Sequence, residues 1–378
     1  MTRIMISAGE ASGDVHAGAL ARAIFKLDPQ AEVYGMGGDN LRQAGGEVVF
    51  DIKDHGVMGF VEVVKKLPSI LKLRNDFRQL MQERRPDCLV VIDYPDFNMR
   101  IAAIAKEMGI PIVSFISPSA WAWRKGRAKK VAALVNKVAA IFPFEYDVYK
   151  EAGADTEFVG HPLVDIVHPT LPKEEAVKLA GKKVGHHLVL LLPGSRFKEI
   201  ETMLPPMLQA AKLIKRSDPS VDFIMPRAAT IPPSLLQGHM DAQGMQVRIV
   251  EGNIYDIMSV ADVALATSGT VTLEAALCGL PSVICYQTAY LLGLILRAVL
   301  SIKCIGLPNI VAGTPILPEL LQEQMTPQNM AREVLRFLEP EEASRIRREL
   351  LQIKKRLGEP GAVERVARLT LKLAGDKK

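Results

Sequence analysis

Residues Val263-Ala264-Leu265-Ala266-Thr267-Ser268-Gly269-Thr270-Val271-Thr272-Leu273-Glu274-Ala275-Ala276 pass from an apolar run, through a turn of small hydroxyl residues and glycine, into a helical pattern. Strand, glycine turn and helix in that order form the unit from which parallel α/β sheets are built. Small residues at a helix start let backbone N–H groups approach an anion, and the helix dipole favours negative charge there. Ser268, Gly269 and Thr270 are therefore candidates for phosphate binding. Glu274, about one helical turn on, is placed to accept hydrogen bonds from ribose hydroxyls. The plainer alternative is an N-cap followed by a surface glutamate.

The same unit recurs along the chain. Residues 3–8, 31–35, 88–93, 112–116 and 137–142 read as strands in the first half, and 188–192, 222–225, 246–250, 263–266 and 282–286 in the second. Helical patterns such as 204–215 fill the gaps, so two Rossmann-like halves with mainly parallel sheets are expected. A chain of 378 residues also exceeds what one core organises. The halves are placed at residues 1–170 and 186–340, joined by a polar linker, with a basic helical segment at 341–378. That segment carries eleven Lys and Arg against six Asp and Glu, which suits an anionic surface or substrate. Hydrophobic residues make up 48% and charged ones 24%, which argues against disorder and against a polytopic membrane protein. The start lacks the pattern of a secretion signal, so a cytoplasmic location is expected. Cys88, Cys278, Cys285 and Cys304 form no Cys-x-x-Cys pair and read as buried thiols.

In doubly wound sheets ligands sit beyond the carboxyl ends of the strands, so a site between the two halves is expected there. After residues 188–192 comes Pro193-Gly194-Ser195-Arg196. Gly194 permits close backbone approach, and Arg196 offers a forked, permanently charged donor to a diphosphate. With Ser195 they form the expected leaving-group clamp. Neither a Walker sequence nor a full Gly-x-Gly-x-x-Gly is present; Gly35-Met36-Gly37-Gly38 is only a fragment of the latter. Asp-x-Asp is also missing, so Arg196 and the helix start must supply the electrostatics, and no metal or cofactor is expected. Asp93-Tyr94-Pro95-Asp96-Phe97-Asn98 places two carboxylates in a proline-bent turn at a strand end. Asp96 is the expected base, with Asp93 holding structure or substrate. Gly9-Glu10-Ala11-Ser12-Gly13-Asp14 opens another helix, where Glu10 and Ser12 could hold sugar hydroxyls or an acceptor phosphate. Ser117-Pro118-Ser119-Ala120-Trp121-Ala122-Trp123-Arg124 sets both tryptophans beside a basic cluster. No nucleic-acid fold signature accompanies that cluster.

These strings, with Gly160-His161-Pro162 and Leu307-Pro308-Asn309, resemble the lipid-A-disaccharide synthase family in order and over nearly the whole chain. The tryptophan string is the most specific of them. The resemblance implies a two-domain GT-B glycosyltransferase. It implies inverting transfer from UDP-2,3-diacylglucosamine to the 6-hydroxyl of 2,3-diacylglucosamine 1-phosphate, giving a β-1,6-linked disaccharide and UDP. Ser12, Asp96, Arg196, Glu274 and Asn309 match its functional positions, Asn309 on the sugar or acceptor side. It also suggests a homodimer, in which the 341–378 segment packs back on the N-terminal half or on the partner. Thr314-Pro315 departs from the pattern, since many relatives carry a basic residue there. A UDP-N-acetylglucosamine 2-epimerase and a nicotinamide oxidoreductase are the competing readings. The tryptophan string speaks against the first and the absent dinucleotide fingerprint against the second.

Acylated substrates call for a surface that meets a bilayer. Between residues 57 and 77, apolar Val63, Val64, Leu67, Ile70 and Leu71 recur at helical spacing among lysines and arginines. Such a helix either contacts the inner face of the cytoplasmic membrane or acyl chains, or turns its apolar side to the core.

Overall fold

The computed structural model describes residues 1–55, 67–117, 125–228, 230–287 and 304–376. The chain divides into two units: unit 1 comprises Met1–Pro162 with Gly358–Lys378, and unit 2 comprises Leu163–Leu357.

Unit 1 is built on seven parallel strands: β1 (Arg3–Ala8), β2 (Glu32–Gly37), β3 (Glu47–Asp51), β4 (Cys88–Ile92), β5 (Ile112–Phe115), β6 (Lys137–Ala140) and β7 (Thr156–Phe158). Their order is β3-β2-β1-β4-β5-β6-β7. β1 and β4 lie at the centre and read as continuous apolar runs, Ile4-Met5-Ile6 and Leu89-Val90-Val91-Ile92, all buried. A parallel strand covered by helices on both faces has no polar side to show. The helix Ala11–Leu27 buries Ala17, Leu20, Ala21 and Ile24. The last helix, Ala362–Gly375, packs against it. The helix Leu67–Arg84 sends Leu73, Phe77, Leu80 and Met81 into the core. Ile70 packs partly against the same core, whereas Leu71 is exposed. Val63, Val64 and the Leu67 side chain lie outside the described residues, as does the string 118–124.

Unit 2 repeats the plan with β8 (His187–Leu192), β9 (Val221–Pro226), β10 (Arg248–Val250), β11 (Val263–Thr267), β12 (Ser282–Tyr286) and β13 (Glu319–Leu321). All six are parallel, in the order β10-β9-β8-β11-β12-β13. The stretch expected to be a linker belongs to this unit. Asp256 accepts from the amides of Thr170 (2.6 Å) and Leu171 (2.9 Å). Ala176 and Ala180, on the helix Lys173–Ala180, enter its core. The chain therefore crosses from one unit to the other at Pro162/Leu163, not near 170. The basic C-terminal segment is split as well: the helix Pro340–Arg356 stays with unit 2, and the helix Ala362–Gly375 returns to unit 1.

Each sheet has one place where successive connections leave in opposite directions. In unit 1 it lies between β1 and β4, where Ala8 pairs with Ile92. In unit 2 it lies between β8 and β11, where Leu192 pairs with Ala266. Crevices open at such points beyond the carboxyl ends of the strands.

Candidate active site

In unit 1 the loops after β1 and β4 meet at the switch point. A Cβ on Gly9 would lie 2.1 Å from Cδ1 of Tyr94, so only glycine lets that ring lie against the first loop. Asp93 and Tyr94 both adopt left-handed backbone, at φ 50° and 48°. Two successive non-glycine residues in that region carry strain, which clusters at functional sites. Asn98 holds the turn. Its amide donates to the carbonyls of Ser7 (3.1 Å), Ile92 (3.2 Å) and Asp93 (2.6 Å), and its oxygen accepts from the Ser7 hydroxyl at 2.6 Å. The outcome is a hydrogen bond from the Ser12 hydroxyl to the Asp93 carboxyl. Burial lifts that carboxyl above the ordinary aspartate range, while the Tyr94 amide and Ser12 pull it back down.

Asp96 has different surroundings. Its side chain is 88% exposed and paired with Arg127 at 2.7 Å. Glu10 is exposed at the N-cap of the helix Ala11–Leu27. Asp14 is buried, and its carboxylate accepts from the amides of Gly38 (2.6 Å), Asn40 (2.9 Å) and Leu41 (3.2 Å). The Gly35–Gly38 fragment thus serves an internal carboxylate. His16 and His161, which the sequence sets in loops as lone histidines more often packed or hydrogen-bonded than catalytic, both lie against aromatic rings, and His16 belongs to the helix Ala11–Leu27. His16 stands one turn beyond Ser12, set edge-on to Phe115 with ring centroids 6.1 Å apart. Burial pushes its imidazole down to about 4. His161, against Phe142, is pushed to about 3 by burial and, secondarily, by His16.

Unit 2 brings together the two predicted anion loops, because the strands they follow are neighbours. Gly194 has φ 115°, and a Cβ there would come within 2.6 Å of the Glu199 carboxylate. That carboxylate accepts from the amides of Ser195 (3.0 Å) and Arg196 (3.1 Å) and from the Arg196 guanidinium (3.1 Å). Arg196 nevertheless keeps 73% of its side chain exposed, with donors of its fork to spare. Thr230 fixes the loop by donating to the Ser195 carbonyl at 2.8 Å. Beside it, Ser268 is half-buried, and Gly269 and Thr270 are exposed at the start of the helix Thr270–Leu277. Glu274 is half-buried one turn on, and burial raises its carboxyl.

Asn309 is fully buried. Its amide donates to the Leu317 carbonyl and to Glu319, each at 2.8 Å, and its oxygen accepts from the Leu317 amide at 2.9 Å. Glu319 in turn accepts from the amides of Ile305 and Gly306 at 2.9 Å. Asn309 therefore holds the segment before β13, and Thr314-Pro315 is exposed within it. Nothing in the sequence marked Glu319, a single acid near the end of an apolar run.

Comparison with known proteins bears on the fold and the family. A lipid-A-disaccharide synthetase family model matches residues 4–371. The lipid-A-disaccharide synthase of Geobacter metallireducens is 40% identical over 377 residues, covering 100% of this chain and 98% of that one. The enzyme of that name from Syntrophus aciditrophicus is 42% identical over 372 residues, covering 98% and 97%. Among solved structures, Neisseria meningitidis UDP-GlcNAc 2-epimerase bound to UDP-GlcNAc superposes with a TM-score of 0.65 at 12% identity, covering 98% of this chain and 100% of that one. Acinetobacter baumannii MurG superposes at 0.59 with 16% identity, covering 98% and 100%. The structural likenesses give the fold, GT-B with two Rossmann-like domains, and the end-to-end sequence match goes further: the chain belongs to the lipid-A-disaccharide synthetase family of glycosyltransferases.

Proposed function

We propose that the chain transfers the diacylglucosamine unit of UDP-2,3-diacylglucosamine to the 6-hydroxyl of 2,3-diacylglucosamine 1-phosphate. The full-length match to relatives bearing the synthase name is the observation that carries these substrates. Unit 2 holds the nucleotide in this reading. Arg196 and the start of the helix Thr270–Leu277 take the diphosphate, and Glu274 takes the ribose hydroxyls. Unit 1 supplies the base. The acceptor O–H gives its proton to a carboxylate as the oxygen attacks the anomeric carbon. The bond from that carbon to the diphosphate breaks, and UDP leaves with the electron pair. Attack from the face opposite the diphosphate inverts the carbon, giving the β-1,6 linkage.

The environments favour Asp93 over Asp96 as the base. A base needs proton affinity near the working range, and burial gives Asp93 more of it. Asp96 is spread into solvent and neutralised by Arg127. Arg196 and the helix start compensate the departing charge without a metal. Acylated substrates place the reaction at the cytoplasmic face of a bilayer, met from its surface; no helix among the described residues is long and apolar enough to cross a membrane. The family resemblance supports a homodimer.

Incubating the protein with UDP-diacylglucosamine and labelled acceptor in excess EDTA tests the reading. The expected products are UDP and one disaccharide phosphate with a β anomeric coupling. No disaccharide, or an α linkage, overturns it.

A further inference from the structure

Among the described residues, four buried side-chain polar atoms have no hydrogen-bond partner: Nδ1 of His16, Oη of Tyr34, Nε of Arg74 and Oγ1 of Thr267. Thr267 is 5% exposed and closes β11, one residue before the Ser268–Thr270 turn. Its backbone pairs with Cys285 of β12, and its neighbour Ala266 pairs with Leu192, the last residue of β8. The hydroxyl therefore stands where both loops of the unit 2 switch point leave the sheet. Thr272, five residues on, spends its own hydroxyl on the Gly269 carbonyl at 2.7 Å, so an internal partner is available to one threonine of this turn and not to the other.

A buried hydroxyl with donor and acceptor capacity unused weakens the fold. Valine would fill the same volume and suit a strand as well, without that penalty. The group is a defect in the free protein and an asset only to something that binds there. Space for a ligand lies over the turn, since a Cβ on Gly269 would meet nothing within 4 Å. Rotation about χ1 carries a threonine hydroxyl among three staggered positions.

We propose that the Thr267 hydroxyl is a further binding group of unit 2, donating to an anionic phosphate oxygen of the nucleoside diphosphate. It rests on the reading of this turn as the diphosphate seat. A hydroxyl donating to a charged oxygen makes a stronger bond than one between neutral groups. Negative charge on that oxygen grows as the bond to the sugar breaks, so the contact favours the departing diphosphate over the intact donor.

The test is the affinity of the unaltered protein, Thr267→Val and Thr267→Ser for UDP and for uridine, with melting temperatures measured without ligand. Thr267→Val is expected to weaken UDP about tenfold, to leave uridine within about twofold, and to melt no lower than the parent. Thr267→Ser, which keeps the donor, is expected to hold UDP within about threefold. Parental UDP affinity in Thr267→Val, with a higher melting temperature, would overturn the proposal and leave an unsatisfied core hydroxyl. An equal loss for uridine would overturn it too, since the phosphate would then not be the partner. Absence of UDP binding by the unaltered protein would instead remove the reading of the turn on which the proposal stands.

Discussion

The guanidinium of Arg127 holds the carboxylate of Asp96 at 2.7 Å on an exposed face of unit 1, while Asp93, three residues earlier, is drawn inward to Ser12. The two acids of one turn thus have opposite surroundings, one half-buried and one exposed in an ion pair. Asp93→Asn keeps the shape and removes the proposed base, so turnover should fall by about 10²–10⁴-fold with donor affinity unchanged. Asp96→Asn should stay within about tenfold of the parent. Because burial raises the Asp93 carboxyl, the acid limb of kcat/KM should fall above the ordinary aspartate value of 3.8. Activity is lost as pH drops through it, when the carboxylate gains its proton. Comparable losses in the two variants would return the base to Asp96.

Gly9 and Tyr94 give a test of how that turn is held. Gly9→Ala drives a methyl into the ring, which must move and loosen the left-handed pair Asp93-Tyr94. A loss of about 1–3 kcal/mol in stability is expected, with slower turnover. Tyr94→Ala should relieve the clash, so the double variant should be more stable than the sum of the single changes allows. Simple additivity in the thermal melts would show that the two residues are not coupled.

The central strands could be read from the sequence because burial on both faces forces continuous apolar runs, as in β1, β4, β8 and β11. β3, β7 and β13 were missed, and each is an edge strand. β7 is three half-exposed or exposed residues, Thr156-Glu157-Phe158, and an edge bearing charge carries no apolar period. The helix Phe197–Ser217 was expected only from 204, since Pro205-Pro206 argue against a helix interior. Its buried row of Ile200, Met203, Leu204, Met207 and Leu208 outweighs that penalty. Site residues adjoining strand ends were placed for the same reason the strands were. Which of two aspartates is buried depends on Gly9, Asn98 and Arg127, each distant in sequence from at least one of its partners.

Acid should weaken the fold through two histidines. His16 and His161 are held neutral, at about 4 and about 3, against an unfolded value of 6.5. Between those values the unfolded chain binds more protons, so stability is full above pH 6.5 and declines as pH falls below it. Each unit of pH in that window removes about 1 kcal/mol per histidine. Denaturant midpoints between pH 7.5 and 5 check this. His16→Leu should roughly halve the slope, and an unchanged slope would remove His16 from the account.

One guanidinium ties the returning chain to the edge of unit 1. Arg365, on the helix Ala362–Gly375, donates to the carbonyl of Val159 just after β7 at 2.8 Å, and to those of Pro360 (2.8 Å) and Glu359 (2.5 Å) ahead of its own helix. β7 is a short edge strand. The helix is fixed by its apolar face, Ala362, Val366, Ala367 and Leu369, so Arg365 sets its register against the sheet and not its existence. Arg365→Ala should cost about 2–3 kcal/mol, since three carbonyls lose charge-assisted donors. Arg365→Lys should recover less than half, because a point charge on a flexible stem cannot serve three acceptors that a planar fork reaches together. Helical content should persist in both variants. UDP affinity should also hold below the melting temperature, because every group in the tie belongs to unit 1. Melting curves with calorimetry for UDP check the account. Lysine restoring the full stability would reduce the tie to its charge, and loss of helix signal in Arg365→Ala would mean that the guanidinium, not the apolar face, holds the helix in place.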